Sequence, residues 1–295
     1  RDGLQNQPRI LSIQQRQQLI KALRDAGVGS IEVGSFVSPK AVPAMAGTDT
    51  LMAALPLGDG VHYTALIPNL KGYELAREAG ARSVTMVLYA SDEMARKNAN
   101  MTMAQAESIA ADILTRARAD SIEVIATISV AFASTFAGDT DPAIVLEAAE
   151  KIFKLGADKV VIADTIGAAN PGQVRSLMQK LVSLPGAGQL GCHFHDTRAM
   201  GLANVFAALE AGVRRFDSSI GGLGGCPFAP GASGNVATED VAMMVEQMGF
   251  DTGIDLDALL RASDLAEELT GTAPGGRAKP CLKPWLAKRS GSGSA

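Results

Sequence analysis

The chain is poor in the residues that usually anchor a core or staple a small fold. Its 295 residues hold one Trp, three Tyr and nine Phe, 4% aromatic in all. A sizeable interior must therefore come from Ala, Val, Leu and Ile, and 47% of the residues are hydrophobic. Three cysteines, Cys192, Cys226 and Cys281, are too few for a disulfide framework, which points to a reduced, cytoplasmic setting. No apolar run approaches the roughly 18 residues of a membrane span, so no membrane partner is expected. A formal net charge of −4 shows no basic face for nucleic acid, so no nucleic-acid partner is expected either, and any anion-binding site must be local. The initiator methionine is lacking too: the sequence opens on Arg1-Asp2-Gly3, so a targeting segment upstream is not observable. At the other end Ser290-Gly291-Ser292-Gly293-Ser294-Ala295 reads as flexible tail.

What is present is a regular alternation. Short apolar, β-branched runs at 30–36, 62–68, 83–89, 123–130, 159–165, 189–196 and 215–220 alternate with helical spacing at 13–26, 73–79, 103–119, 142–155, 171–182 and 200–211. Pro142 and Pro171 stand where a first-turn proline belongs, behind Asp141 and Asn170 as N-caps. Gly27, Gly80, Gly156 and Gly212 each follow a helical pattern, as C-terminal glycines do. Strict β–α alternation predicts an α/β fold with a parallel sheet, and the length suits a single TM-span-free (β/α)8 TIM barrel at 1–270 with a C-terminal tail at 271–295. Helix 13–26 has no strand before it, so the first barrel strand is expected upstream of residue 1, ending at Arg1. An open doubly wound sheet is the rival, but it lacks a phosphate-binding glycine fingerprint after its first strand.

The chain has only three histidines, and two of them form Gly191-Cys192-His193-Phe194-His195-Asp196. Residues two apart on a strand face one side, so His193 and His195 face together at the strand's C-terminal end, where barrel enzymes keep their sites. Acidic or amide partners from other strand ends would complete a metal site. Candidates are Asp2, Glu32, Asp164 and Asn235. Two nitrogen and two oxygen ligands suit Mg²⁺ or Mn²⁺, with Zn²⁺ or Co²⁺ as alternatives. Gly221-Gly222-Leu223-Gly224-Gly225-Cys226-Pro227 adds a glycine loop that presents a thiol, a candidate acid/base or nucleophile. Lys40, Lys71, Asn98 and Asn100 are weaker candidates on loops of the same face.

In order along the chain, Arg1-Asp2-Gly3-Leu4-Gln5-Asn6, Ser35-Phe36-Val37-Ser38-Pro39-Lys40, Pro68-Asn69-Leu70-Lys71-Gly72, Asp164-Thr165-Ile166-Gly167, the histidine motif and Gly222 through Asn235 resemble the 3-hydroxy-3-methylglutaryl-CoA lyase family, TIM-barrel metallolyases. The resemblance implies cleavage of 3-hydroxy-3-methylglutaryl-CoA to acetyl-CoA and acetoacetate by a homodimer. It implies that Asp2, His193, His195 and Asn235 bind the metal, that Arg1 stabilises the enolate oxygen, that Cys226 transfers a proton, and that Glu32 and Asp164 shape and polarise the site. The first base is left between His193 and Asp2.

The sequence also departs from that family. Ala133-Ser134-Thr135-Phe136-Ala137-Gly138 stands where members carry Gly-Cys-Pro-Tyr-Glu-Gly. Ala41 and Met94 stand where aromatics are usual. Reaction type is therefore firmer than substrate. Citramalyl-CoA or a longer-branched hydroxyglutaryl-CoA is the alternative substrate, and an acetyl-CoA/2-oxo acid synthase is the reverse chemistry on the same fold.

Overall fold

The computed structural model describes residues 1–56, 58–225, 234–272 and 276–284. Seven parallel strands form one sheet: β1 (Ser30–Ser35), β2 (His62–Leu66), β3 (Ser83–Tyr89), β4 (Glu123–Ser129), β5 (Lys159–Asp164), β6 (Leu190–Phe194) and β7 (Phe216–Asp217). They pair in chain order from β1 to β7, each with the next, and the sheet curls into part of a TIM barrel. The alternation predicted from sequence is the alternation observed. Val, Ile and Ala recur in the strands: in β4 the alternate residues Val124, Ala126 and Ile128 are buried on one face, while Ile125 and Thr127 on the other are half-buried. A two-residue antiparallel ribbon, Ala133–Ser134 with Gly138–Asp139, stands apart from the sheet.

Helix α1 (Asp2–Gln5) lines the cavity at the strand ends, and the helices that follow are α2 (Ile13–Asp25), α3 (Thr48–Ala53), α4 (Leu70–Glu78), α5 (Asp92–Ala99), α6 (Met103–Asp120), α7 (Pro142–Leu155), α8 (Pro171–Leu181), α9 (Gly201–Glu210), α10 (Thr238–Gln247) and α11 (Leu256–Thr270). Asp141 caps α7 by accepting from the Ala143 N–H, and Asn170 caps α8 by accepting from the Gln173 N–H. Gly156 closes α7 at φ +97°, a left-handed position that suits glycine. Helix α5 fills a stretch expected as loop: Ser91 caps it, and Asn100 ends it in the left-handed region.

One large apolar cluster joins strands and helices from Ile20 to Val245, and a second packs α2 against α11 through Leu19, Ala26, Leu259 and Ala266. Residues 276–284 dock back on this second layer. Asp240 accepts from the Arg277 and Ala278 N–H groups at 2.8 and 2.7 Å. No helix among the described residues is long and apolar enough to cross a membrane.

Candidate metal centre

The C-terminal ends of the strands converge on a cavity of about 1340 Å³ that runs through the barrel. Its polar lining joins the first two residues to segments near Glu32, His193 and Asn235. Strand β6 delivers His193, and His195 follows just beyond the strand's last residue. Segment 234–236 returns antiparallel to it: Asp196 N donates to Gly234 O at 3.1 Å and Val236 N to Phe194 O at 3.0 Å. His195 and Asn235 thereby become bridge partners. The return is possible only for glycine at 234, because a Cβ there would lie 1.8 Å from the Gly222 carbonyl oxygen. On the opposite side, a register shift between Glu32 and Gly34 in β1 re-aims the local side chains, and Glu32 reaches Arg1.

Asp2 is the centre of the arrangement. Its Oδ2 lies 4.0 Å from His193 Nε2 and 3.9 Å from His195 Nε2, and it accepts from Asn235 Nδ2 at 2.8 Å. Asp2, His193 and His195 each offer one ligand atom within 4.8 Å of the others. The second Asn235 hydrogen bond goes from Nδ2 to Leu223 O at 3.0 Å. Both of these bonds use the amide nitrogen, so Asn235 Oδ1 is left buried without a partner among the described residues. A buried orphan acceptor is costly unless something fills its lone pairs. Two imidazole nitrogens, a carboxylate and this amide oxygen make a mixed set that fits a divalent cation with room for further oxygen ligands.

The electrostatics match. Burial alone would push the Asp2 carboxyl up, but the Arg1 guanidinium, the two imidazoles and the Asn235 amide together hold it far below the ordinary carboxylate range. Burial and its neighbour His193 push His195 down to about 4, against the pull of Asp2, so its ring is neutral and available as a ligand. Burial disfavours the charged form of His193 too, yet its hydrogen bond to Asp217 and the Asp217 and Asp2 charges raise it. Arg1 is itself clamped: Nε donates to Glu32 Oε2 at 2.6 Å and Nη1 to Asp2 Oδ1 at 2.9 Å. A guanidinium fixed by two carboxylates at the cavity wall is a preorganised cation.

The other sequence candidates fall in different places. Asp164 is buried at the end of β5, and its two oxygens accept from the Ala168 and Ala169 N–H groups at 2.9 and 3.1 Å. It caps the turn after β5 and is not among the residues lining the cavity. Asn98 lines the cavity and donates to the Tyr89 hydroxyl at 2.9 Å, whereas Asn100 caps a helix. Lys40 is exposed, and Lys71 pairs with Glu74 within its own helix. Cys226 lies outside the described residues. One residue escaped sequence reasoning. Asp217, the last residue of β7, sits 3.3 Å from His193 Nδ1. The signal was an acidic residue inside the run at 215–220, but only strand register shows what it faces.

The chain matches the HMGL-like family over residues 1–266. It is 42% identical over 278 residues to a hydroxymethylglutaryl-CoA lyase of Pseudomonas mevalonii, covering 94% of this chain and 92% of the relative. It is also 42% identical to an (R)-citramalyl-CoA lyase of Chloroflexus aurantiacus, covering 90% and 86%. A solved HMG-CoA lyase of Acinetobacter baumannii, in complex with coenzyme A and 3-methylmalate, superposes with a TM-score of 0.90 at 41% identity, covering 94% and 91%.

Proposed function

This chain belongs to the HMGL-like family, and on that footing we propose that it is a divalent-metal-dependent carbon–carbon lyase that cleaves 3-hydroxy-3-methylglutaryl-CoA to acetyl-CoA and acetoacetate. The observation that carries the reading is the convergence of Asp2, His193, His195 and the unpartnered Asn235 Oδ1 beside the clamped Arg1.

When bound, a divalent ion such as Mg²⁺ or Mn²⁺ (Zn²⁺ and Co²⁺ suit the same ligands less selectively) supplies Lewis acidity that lowers the pKa of the substrate's tertiary hydroxyl and orients two of its oxygens. Asp2, His193, His195 and Asn235 would hold it. Of His193 and Asp2, both on the cavity wall, Asp2 would keep a second carboxylate oxygen to take the hydroxyl proton, whereas the Nε2 lone pair of His193 would be committed to the ion. As that O–H breaks, the oxygen forms the ketone, the C2–C3 bond breaks and its electron pair passes to C2 as a thioester enolate. Arg1 faces the charge that develops on the enolate oxygen. Its position needs no rearrangement, because Glu32 and Asp2 already hold it. Protonation of C2 gives acetyl-CoA, and Cys226 in the glycine loop is the donor we assign. Asp164 acts on the site through the turn it caps. A homodimer in the cytoplasm completes the reading, and sedimentation velocity reports its stoichiometry.

A second substrate is favoured by a specific observation: the citramalyl-CoA lyase relative is as similar to this chain as the hydroxymethylglutaryl-CoA lyase relative. The cavity lining includes the apolar side chains Val37, Ala41, Val42, Leu66 and Met94, which we infer meet the substituent that C3 carries. A product assay separates the readings. With Mg²⁺ or Mn²⁺ present, acetoacetate from 3-hydroxy-3-methylglutaryl-CoA supports the first. Pyruvate from citramalyl-CoA, with no turnover of the first substrate, overturns it.

A further inference from the structure

We propose that Asp217 is a positioning residue that fixes His193 as a metal ligand through the far side of its ring; this rests on the metal-site reading above. Strands β6 and β7 are parallel, and their register sets His193 directly opposite Asp217. Registered neighbours on adjacent strands project to the same face, so the carboxylate of one stands beside the imidazole of the other. The pairing is short and ends at this point: Cys192 faces Phe216, His193 faces Asp217, and β7 has no further residue. The two-residue strand therefore places its last side chain against His193.

The two nitrogens of His193 face different carboxylates. Nε2 looks toward Asp2 Oδ2 at 4.0 Å, inside the ligand cluster. Nδ1 lies 3.3 Å from Asp217 Oδ2, outside it. Among the described residues, the group able to hold a metal ion contains Asp2, His193 and His195 and does not include Asp217. An acceptor at Nδ1 keeps the ring proton on that nitrogen. The Nε2 lone pair is then turned toward the cluster, the ring rotation is fixed, and the ligand becomes more basic. His195 has no such support: its Nδ1 is buried without a partner among the described residues. The two histidines of one motif are thus held differently, and the difference is made by a residue 24 positions beyond His193.

The Asp217 side chain is 55% exposed. A plain surface ion pair there would contribute little, and its removal would leave metal affinity unchanged. Manganese titration of the full chain without substrate distinguishes the two roles. Electron paramagnetic resonance counts free Mn²⁺, and far-UV circular dichroism checks the fold of each variant. Asp217→Ala raises the Mn²⁺ Kd about 10–100-fold. Asp217→Asn, nearly isosteric and still carrying an acceptor oxygen, raises it less. Nitrogen couplings to the bound Mn²⁺ change for one histidine and persist for the other. A folded Asp217→Ala or Asp217→Asn protein that binds Mn²⁺ as tightly as the unaltered chain overturns the proposal. Failure of the unaltered chain to bind Mn²⁺ overturns the metal-site reading instead, so the two failures are distinguishable.

Discussion

Arg1 and Asp2 are adjacent in sequence and opposite in charge, yet each is more than the other's counter-ion. Arg1 also holds Glu32, and Asp2 also faces two imidazoles and an amide. Substituting Arg1 by Gln keeps hydrogen-bonding capacity and removes the fixed charge, so kcat falls about 10²–10³-fold with metal binding retained. Steady-state kinetics beside a metal titration checks this; a change in KM alone would contradict it. His195→Ala removes a buried neutral imidazole from the proposed metal site, and loss of both metal binding and turnover is expected. At this scale the sequence was most legible where a rule of local geometry applied. The i, i+2 spacing of His193 and His195 needs only strand pleating. Asp2 and Asn235 are 233 residues apart, and their contact is a consequence of topology and of family resemblance rather than of any local pattern. Asp217 was illegible because a lone Asp inside a short run acquires meaning only from register.

The elements were read well because β-branched runs and helix caps are local signals: Asp141, Asn170 and Gly156 act where they were expected to act. Helix α5 was not read, since its eight residues carry only two buried side chains, Met94 and Ala95. The close approach of Gly234 to the Gly222 carbonyl was not legible in the glycine-rich sequence. Gly234→Ala forces a Cβ into the Gly222 carbonyl. Such overpacking typically costs about 1–3 kcal/mol. It also displaces Asn235, so thermal stability and metal affinity fall together. Loss of stability with unaltered affinity would show that this close approach does not position Asn235.

A second polar layer lies at the other end of the strands. Ser30, His62, Ser83, Glu123 and Lys159 are the first residues of β1 to β5. Glu123 Oε1 meets His62 Nε2 at 2.7 Å, Lys159 Nζ at 2.9 Å and Ser83 Oγ at 3.1 Å. The His62 hydrogen bond, with Lys159 and against burial, holds the Glu123 carboxyl down to about 2, below its ordinary 4.5. A depressed folded-state value stabilises the fold above the ordinary value, and the contribution is lost as pH falls from 4.5 toward 2. Glu123→Gln therefore lowers the urea midpoint at pH 7, and the gap to the unaltered protein narrows as pH falls below 4.5. A gap that is constant with pH would contradict the ion-pair account.

The whole molecule joins a scaffold shared with its relatives to a cavity lined by Arg1, Asp2, Glu32, His193, His195 and Asn235 and also by apolar side chains such as Ala41 and Met94. The charged residues explain why reaction type was legible. The acyl group was less so, since Ala41 and Met94 impose volume rather than polarity. Asp2 and Asn235 are 233 residues apart, so an ion bound between them would tie distant segments together. A ligand present at about a hundredfold excess over its Kd stabilises the folded state by about 2.7 kcal/mol. Chelation should thus lower the melting temperature by several degrees, and His195→Ala should be insensitive to it. The most direct test of the central claim is acetoacetate release from 3-hydroxy-3-methylglutaryl-CoA, followed with and without chelation. Acetoacetate and acetyl-CoA are expected in equal amounts, lost on chelation, restored by Mn²⁺ and absent in His195→Ala. Undiminished cleavage by the chelated protein, or by His195→Ala, would contradict that claim.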